Sequence, residues 1–269
     1  MARILAITNQ KGGVGKTTTC VNLAAALSLT RRRVLLVDLD PQGNATMGSG
    51  IDKHELDYTS CEVLLEEIDL PAVIMRADQA GFDVLPGNSD LTAAEVELVD
   101  VEHREQRLAR ALAGVRDNYD YILIDCPPSL NMLTLNALTA ADAVLIPIQC
   151  EYYALEGLSA LIETIEQVRA SVNPRLQIEG LLRTMYDGRN RLAEQVSEQL
   201  LEHFGERVYR TIIPRNVRLA EAPSHGQPVL CYDKASRGAL AYLALAGEVV
   251  RREQEAQQPA PEAAALPPT

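Results

Sequence analysis

Lys11-Gly-Gly-Val-Gly-Lys-Thr-Thr18 follows directly on the apolar run Ile4–Ile7 and opens onto an alanine-rich stretch. A short strand, a glycine-rich turn and a Gly-Lys-Thr entry to a helix is the context a phosphate-binding loop requires. Gly12, Gly13 and Gly15 carry no side chain, so the backbone can adopt positive φ there and bring its N–H groups close to an anion. Lys16 is placed to reach the β- and γ-phosphates and Thr17 to offer its hydroxyl to Mg²⁺, with the helix dipole adding to the attraction. Val14 and Thr18 complete the loop. The strict pattern G-x-x-x-x-G-K-[ST] is not met, because Gln10 stands where the first Gly belongs and Lys11 supplies a second lysine. A dinucleotide fingerprint fails as well, since Gly13-Val-Gly15 is followed by Lys-Thr-Thr and no third Gly.

Two later stretches repeat one design. Val34-Leu-Leu-Val-Asp38-Leu-Asp40-Pro-Gln-Gly-Asn44 is an apolar strand ending in two carboxylates at alternate positions, which an extended chain puts on one side. Tyr121-Ile-Leu-Ile-Asp125-Cys-Pro-Pro-Ser129 is a buried-type strand with one terminal Asp and a proline-rich turn. A strand-end Asp beside a phosphate loop anchors Mg²⁺ through its shell. Taken singly, such residues also serve as turn or helix caps; three in this order, with spacings that fit one sheet, point to a nucleotide site.

K-G-G-V-G-K-T-T, D-L-D-P-Q-G-N and D-C-P-P-S resemble the deviant Walker ATPases and, within them, the ParA/Soj chromosome-partitioning ATPases. The resemblance continues through Ile213-Pro-Arg-Asn-Val-Arg-Leu219, Glu221-Ala-Pro-Ser-His-Gly226 and Tyr232-Asp-Lys-Ala-Ser-Arg-Gly238, and so covers Met1 to about Arg252. It implies ATP and Mg²⁺ as cofactors; the chain itself adds only that it lacks the guanine-reading N-K-x-D. It implies a homodimer formed with ATP, non-specific binding of double-stranded DNA by that dimer, and a ParB/Spo0J-type partner that stimulates hydrolysis. The setting implied is the cytoplasm, on the nucleoid. By the same resemblance Lys16, Thr17 and Asp125 serve the phosphates and the metal, Asp38 supports the metal shell, and Asp40 orients or activates the attacking water. Lys11 is similar to the family's signature lysine, which crosses to the partner's phosphates like an arginine finger. Pro214 and Asn216 are expected at the adenine.

A chain of 269 residues, 47% hydrophobic, fits one large α/β domain. Strands alternating with helices imply a P-loop fold: a mostly parallel, twisted β-sheet with helices on both faces. Helices are expected to about Leu29, near Cys61–Glu67, over His103–Val115, Leu155–Val172 and Asn190–Phe204, and over Ala235–Arg252 as the close of the ATPase domain, 1–252. Residues 253–269, rich in Ala, Pro, Gln and Glu, lack a core-forming pattern and read as a disordered tail. The five cysteines, at 20, 61, 126, 150 and 231, include no C-x-x-C and read as reduced, mostly buried thiols rather than a disulfide framework or metal cluster. Met1-Ala-Arg leads straight into a strand, so no signal peptide is expected, and no apolar run is long enough to span a bilayer.

The net charge of −12 is unevenly spread. Residues 1–182 hold 14 Lys/Arg against 26 Asp/Glu, whereas 183–237 hold 9 against 7. Among the latter, Arg189 and Arg218 match DNA-contacting positions of the family, and Arg191 and Arg215 are weaker candidates for the same contact. Dimerisation would duplicate them on one surface and make a weak patch bivalent. Ordinary surface arginines paired with Glu194, Glu198, Glu202 and Glu206 are the plain alternative. Two other functions share the loop. A MinD-type membrane-positioning ATPase ends in a basic amphipathic helix, for which Pro259-Ala-Pro-Glu-Ala-Ala-Ala-Leu-Pro-Pro268 is a poor substitute. A metal-cluster carrier needs paired cysteines, and Cys126 stands alone. ParA-like positioning of a protein cargo remains open.

Overall fold

The computed structural model describes residues 1–257. β1 (Arg3–Ile7), β2 (Val34–Asp38), β3 (Met75–Ala77), β4 (Phe82–Leu85), β5 (Tyr121–Asp125), β6 (Ala143–Gln149), β7 (Gln177–Tyr186) and β8 (Val208–Pro214) form one sheet in the order β3-β4-β2-β5-β1-β6-β7-β8. Every neighbouring pair is parallel except β3–β4 at the edge. The helices are α1 (Lys16–Leu29), α2 (Asn44–Gly48), α3 (Ser60–Leu64), α4 (Leu70–Val73), α5 (Leu91–Glu97), α6 (Arg107–Ala113), α7 (Met132–Ala140), α8 (Ala154–Ser171), α9 (Arg191–Phe204), α10 (Val217–Glu221), α11 (Val229–Tyr232) and α12 (Arg237–Gln257).

Alternation along each strand feeds two cores. Ile4, Ala6, Leu35 and Val37 pack into one with Leu133 of α7 and Leu161 of α8. Leu5, Ile7, Val34 and Leu36 pack into the other with Leu23 of α1 and Tyr242 of α12. β2 and β5 are buried at every position, as a parallel sheet covered on both faces demands. The expected α/β P-loop architecture is thus realised. Parallel pairing also sets strand ends side by side: Ile7 lies opposite Asp125, and Asp125 opposite Asp38. Open α/β sheets bind ligands at this carboxyl edge.

Three expected helices have different limits. The stretch from His103 to Val115 is not one helix: His103 takes φ 55°, Arg104–Gln106 is a 3₁₀ turn, and α6 follows. The reason is Asn136 of α7. Its side chain accepts from Leu108 N at 3.1 Å and donates to Arg104 O at 2.9 Å, taking backbone groups that a continuous helix would pair internally. The piece near Cys61–Glu67 starts one residue earlier and stops at Leu64, opened by a Thr59/Glu62 capping box and followed by Glu66 at φ 62°. α12 runs to Gln257, so residues 253–257 of the expected tail are helical; the remainder, 258–269, lies outside the described residues.

Candidate nucleotide site and arginine surface

Gly13 and Gly15 take φ 74° and 87°, conformations open to glycine; Gly12 does not need that freedom. A Cβ built on Gly12 or Gly13 meets nothing within 4 Å, so the loop faces open space. The Thr184 hydroxyl donates to Val14 O at 2.8 Å and ties the loop to the end of β7. Lys16 is 7% exposed, and its Nζ donates to Lys11 O at 3.1 Å across the loop. Burial pushes its pKa down, against the pull of Asp125, Cys126 and Asp40. The Lys11 side chain goes elsewhere: it leaves the loop and pairs with Glu151, both groups nearly half exposed.

The three carboxylates differ in what they touch. Asp38 is fully buried and committed, with Oδ2 accepting from Thr46 N (2.8 Å) and Oγ1 (2.7 Å), and Oδ1 from Asp40 N (3.2 Å). Burial raises its pKa to about 6 despite these bonds. Asp40 is held on a turn in which its Oδ1 accepts from Gln42 N at 3.0 Å and its carbonyl from Gly43 N at 2.8 Å. Asp125 is fully buried, and neither of its oxygens has a hydrogen-bond partner of good geometry, the Thr17 hydroxyl beside it making at most a weak one. Burial and then the charge of Asp38 push its carboxyl well above the usual range, while Thr17 and Lys16 oppose the rise. A buried, orphaned carboxylate beside a threonine hydroxyl and a lysine fits the outer shell of a divalent cation.

A cavity of about 170 Å³ adjoins the loop at Gly15 and Thr18, and Pro214 and Asn216 both line it. Asn216 Oδ1 also accepts from Leu219 N at 3.3 Å, capping α10. Met185 lines the same cavity at φ 49°, a conformation rare for a side chain of its size. Neither Met185 nor Thr184 stands out in the sequence, where they end an apolar run. Glu151 and Thr46 were equally silent, although Glu151 follows a strand end much as Asp125 closes one.

The arginines are not equivalent. Arg189 Nε and Nη2 donate to the two oxygens of Asp187 at 2.9 and 2.7 Å, which holds Asp187 down to about 2. Arg218 pairs with Glu221 at 2.8 Å and Asp233 at 3.3 Å. Arg191 and Arg215 are exposed and make no ion pair among the described residues. None of the glutamates of α9 pairs with these arginines, so the acids that hold Arg189 and Arg218 come from outside that helix. Arg183, counted in the basic stretch, is buried, donating to Ser197 Oγ and Tyr209 O. All five cysteines are free thiols and four are buried. Among the described residues no helix is long and apolar enough to cross a membrane.

With a glycine loop, a buried lysine and an orphaned acid gathered at the carboxyl edge of a parallel sheet, the molecule falls in the class of P-loop nucleoside triphosphatases. The AAA domain family AAA_31 matches residues 2–178. The sporulation initiation inhibitor protein Soj of Bacillus subtilis is 56% identical over 249 residues, covering 93% of this chain and 98% of the relative. The chromosome partitioning protein ParA of Caulobacter vibrioides is 53% identical over 257 residues, covering 95% and 96%. A crystal structure of cobyrinic acid a,c-diamide synthase from Mycobacterium smegmatis, with a bound ATP analogue and magnesium, is 40% identical, with a TM-score of 0.84 and coverage of 96% and 98%. The chain belongs to the ParA/Soj family of chromosome-partitioning ATPases.

Proposed function

We propose that this chain is an ATP-hydrolysing switch that dimerises with ATP and Mg²⁺, binds duplex DNA without sequence preference as the dimer, and partitions chromosomal or plasmid DNA. A ParB/Spo0J-type partner stimulates hydrolysis and releases the dimer from DNA, in the cytoplasm on the nucleoid. The observation that carries this reading is the division of labour between two lysines of one loop: Lys16 closes the loop on itself, while Lys11 turns its charge outward. A lysine that does not serve its own cradle is available to a second subunit's.

The residues then take these roles. Backbone N–H groups from Gly12 to Thr18 and the Lys16 ammonium hold the phosphates, and Pro214 and Asn216 border the base. Thr17 and Asp125 would hold Mg²⁺, which would supply charge neutralisation on the transferring phosphoryl group. Asp38, its oxygens taken by Thr46 and Asp40, orients the carboxylate edge. Asp40 receives the proton of the attacking water or orients it. The test is retention on arbitrary duplex DNA with ATP, with ADP and without nucleotide. Retention with ATP alone is expected; binding to liposomes in place of DNA would transfer the chain to the membrane-positioning class.

Asp125→Asn separates the metal role from the fold. The raised carboxyl means that the folded chain holds this proton more tightly than the unfolded one. Stability of the nucleotide-free wild type therefore falls as pH climbs past the ordinary carboxylate range of about 4 toward the folded value. The amide cannot ionise. At pH 8 the variant is expected to melt higher than the wild type, by about 2–4 °C for each kcal/mol of relieved burial cost and repulsion, and to lose Mg²⁺-dependent hydrolysis. A lower melting point at pH 8 would contradict the strain inferred at Asp125.

A further inference from the structure

We propose that the Thr46 hydroxyl is the positioning group for Asp40: it closes the segment 38–46 into a loop of fixed shape and so sets where the Asp40 carboxylate stands. The inference rests on the reading that Asp40 orients the attacking water, and it adds the residue through which the fold places that acid. The chain leaves β2 at Asp38, passes Asp40 on its turn and returns in α2, where Thr46 is fully buried. Thr46 N and Oγ1 donate to Asp38 Oδ2 at 2.8 and 2.7 Å, while Asp38 Oδ1 accepts from Asp40 N at 3.2 Å. One carboxylate therefore holds the departing backbone with one oxygen and the returning backbone with the other.

The hydroxyl also reaches a third piece of chain. With its one proton on Asp38, its lone pairs are free to accept, and Gly87 N donates to it at 2.9 Å from the loop after β4. β4 lies beside β2 with Leu85 opposite Val37, which brings Gly87 up against Asp38. A Cβ on Gly87 would stand 2.5 Å from Asp38 O, and one on Gly43 2.6 Å from Gly87 O. Gly87 thus touches both the root of the segment and the turn beyond Asp40, and Thr46 bonds to that root and to Gly87 at once. A second tie at the root, from Ser60 Oγ to Asp38 O at 2.8 Å, holds the Asp38 backbone and does not reach the turn. Removing the Thr46 hydroxyl strands a buried donor, Gly87 N, and takes one of three donors from Asp38. The segment that carries Asp40 would then settle in a different place.

The test follows single-turnover and steady-state ATP hydrolysis by the full-length chain, with ATP affinity, Mg²⁺ requirement and ATP-dependent dimerisation measured alongside. Thr46→Val keeps the shape of the side chain and removes the hydroxyl. It should lower kcat by about 10²-fold, the cost of misplacing a catalytic group by roughly 1 Å. KM for ATP, the Mg²⁺ requirement and dimerisation should stay at their wild-type values, since the phosphate cradle is untouched. Thr46→Ser restores the hydroxyl and should return kcat close to wild type. Ser60→Ala removes the neighbouring buried tie and should lower the melting temperature without lowering kcat. The decisive comparison is the double variant. In an Asp40→Ala background Thr46→Val should slow hydrolysis no further, because the group it positions is gone. Losses that multiply would overturn the inference, and so would a kcat in Thr46→Ser as low as in Thr46→Val. A raised Mg²⁺ requirement or weakened ATP binding in Thr46→Val would overturn it too, moving the effect to the metal shell. Should Thr46→Val fail to fold, Thr46→Ala carries the same expectations. Normal hydrolysis by Asp40→Ala alone would instead sink the reading on which the inference rests, with Thr46 left untouched.

Discussion

Asp40→Ala is expected to bind ATP and dimerise normally, to hydrolyse roughly 10²–10⁴-fold more slowly, and to remain on DNA far longer than the wild type. Asp40 makes no hydrogen bond to the phosphate cradle, although its charge is felt at Lys16. None of the loop contacts uses Asp40: Lys16 bonds Lys11 O, and Thr184 braces Val14 O. Its own bonds are local, with Oδ1 on Gln42 N and the backbone carbonyl on Gly43 N, while Oδ2 has no partner among the described residues. The turn is sterically fixed. A Cβ on Gly43, at φ 58°, would stand 2.6 Å from Gly87 O, so the turn that follows Asp40 is packed closely against the backbone of Gly87. Alanine thus removes the proposed water-orienting group at the cost of one local bond, from Gln42 N to Asp40 Oδ1, with the bond from Gly43 N to the Asp40 carbonyl left in place. Asp38 is the first alternative for the same role, but three donors already claim its oxygens. Single-turnover hydrolysis with DNA dwell time checks the prediction; wild-type hydrolysis in the variant would move the role away from Asp40.

What could be read from the chain follows from how far each signal reaches along it. The loop from Lys11 to Thr18 and the strand-end acids were legible because each motif is local, and because parallel strands with continuous apolar runs allow few other packings. The long helices α8 and α9 were placed to within a residue by their apolar faces. The break at His103 was not legible, since the group that causes it, Asn136, lies 28 residues beyond the Leu108 it engages. Nor were the partners of the charged groups. Nothing local tells Lys11 that Glu151 is beside it, or Arg218 that Asp233 is. Counting charges along 183–237 located a basic stretch, yet the structure sorts its members into a buried strut (Arg183), two paired arginines (Arg189 and Arg218) and free ones such as Arg215. Burial and pairing are properties of the fold, and only the count belongs to the sequence.

The two lysines of the loop should fail in different ways. Lys16→Ala is expected to lose ATP binding itself, by roughly 10²-fold, the scale of charge-assisted bonds to phosphate from a buried donor. Lys16 is the lysine set inside the loop, and burial lowers its pKa, so its charge is costly to hold without an anion. Lys11→Ala should leave the monomer's affinity for ATP within about fivefold, because in the free chain its side chain makes only an exposed pair with Glu151, worth about 0–1 kcal/mol. The same small number decides a second point. Leaving Glu151 to reach a partner's phosphates costs Lys11 at most about 1 kcal/mol, far less than a cation supplied in trans returns at the transition state. Dimerisation and hydrolysis should therefore fall together in Lys11→Ala, with kcat reduced about 10³-fold if the lysine acts as an arginine finger does. Mixing makes the test sharp. Lys11→Ala chains combined with Asp40→Ala chains should form dimers in which only one site has both an intact water-orienting acid and a lysine from across the interface, and so regain part of the activity that each variant lacks alone. If Lys11→Ala abolishes nucleotide binding in the monomer, the lysine serves its own subunit and the crossing between subunits is excluded.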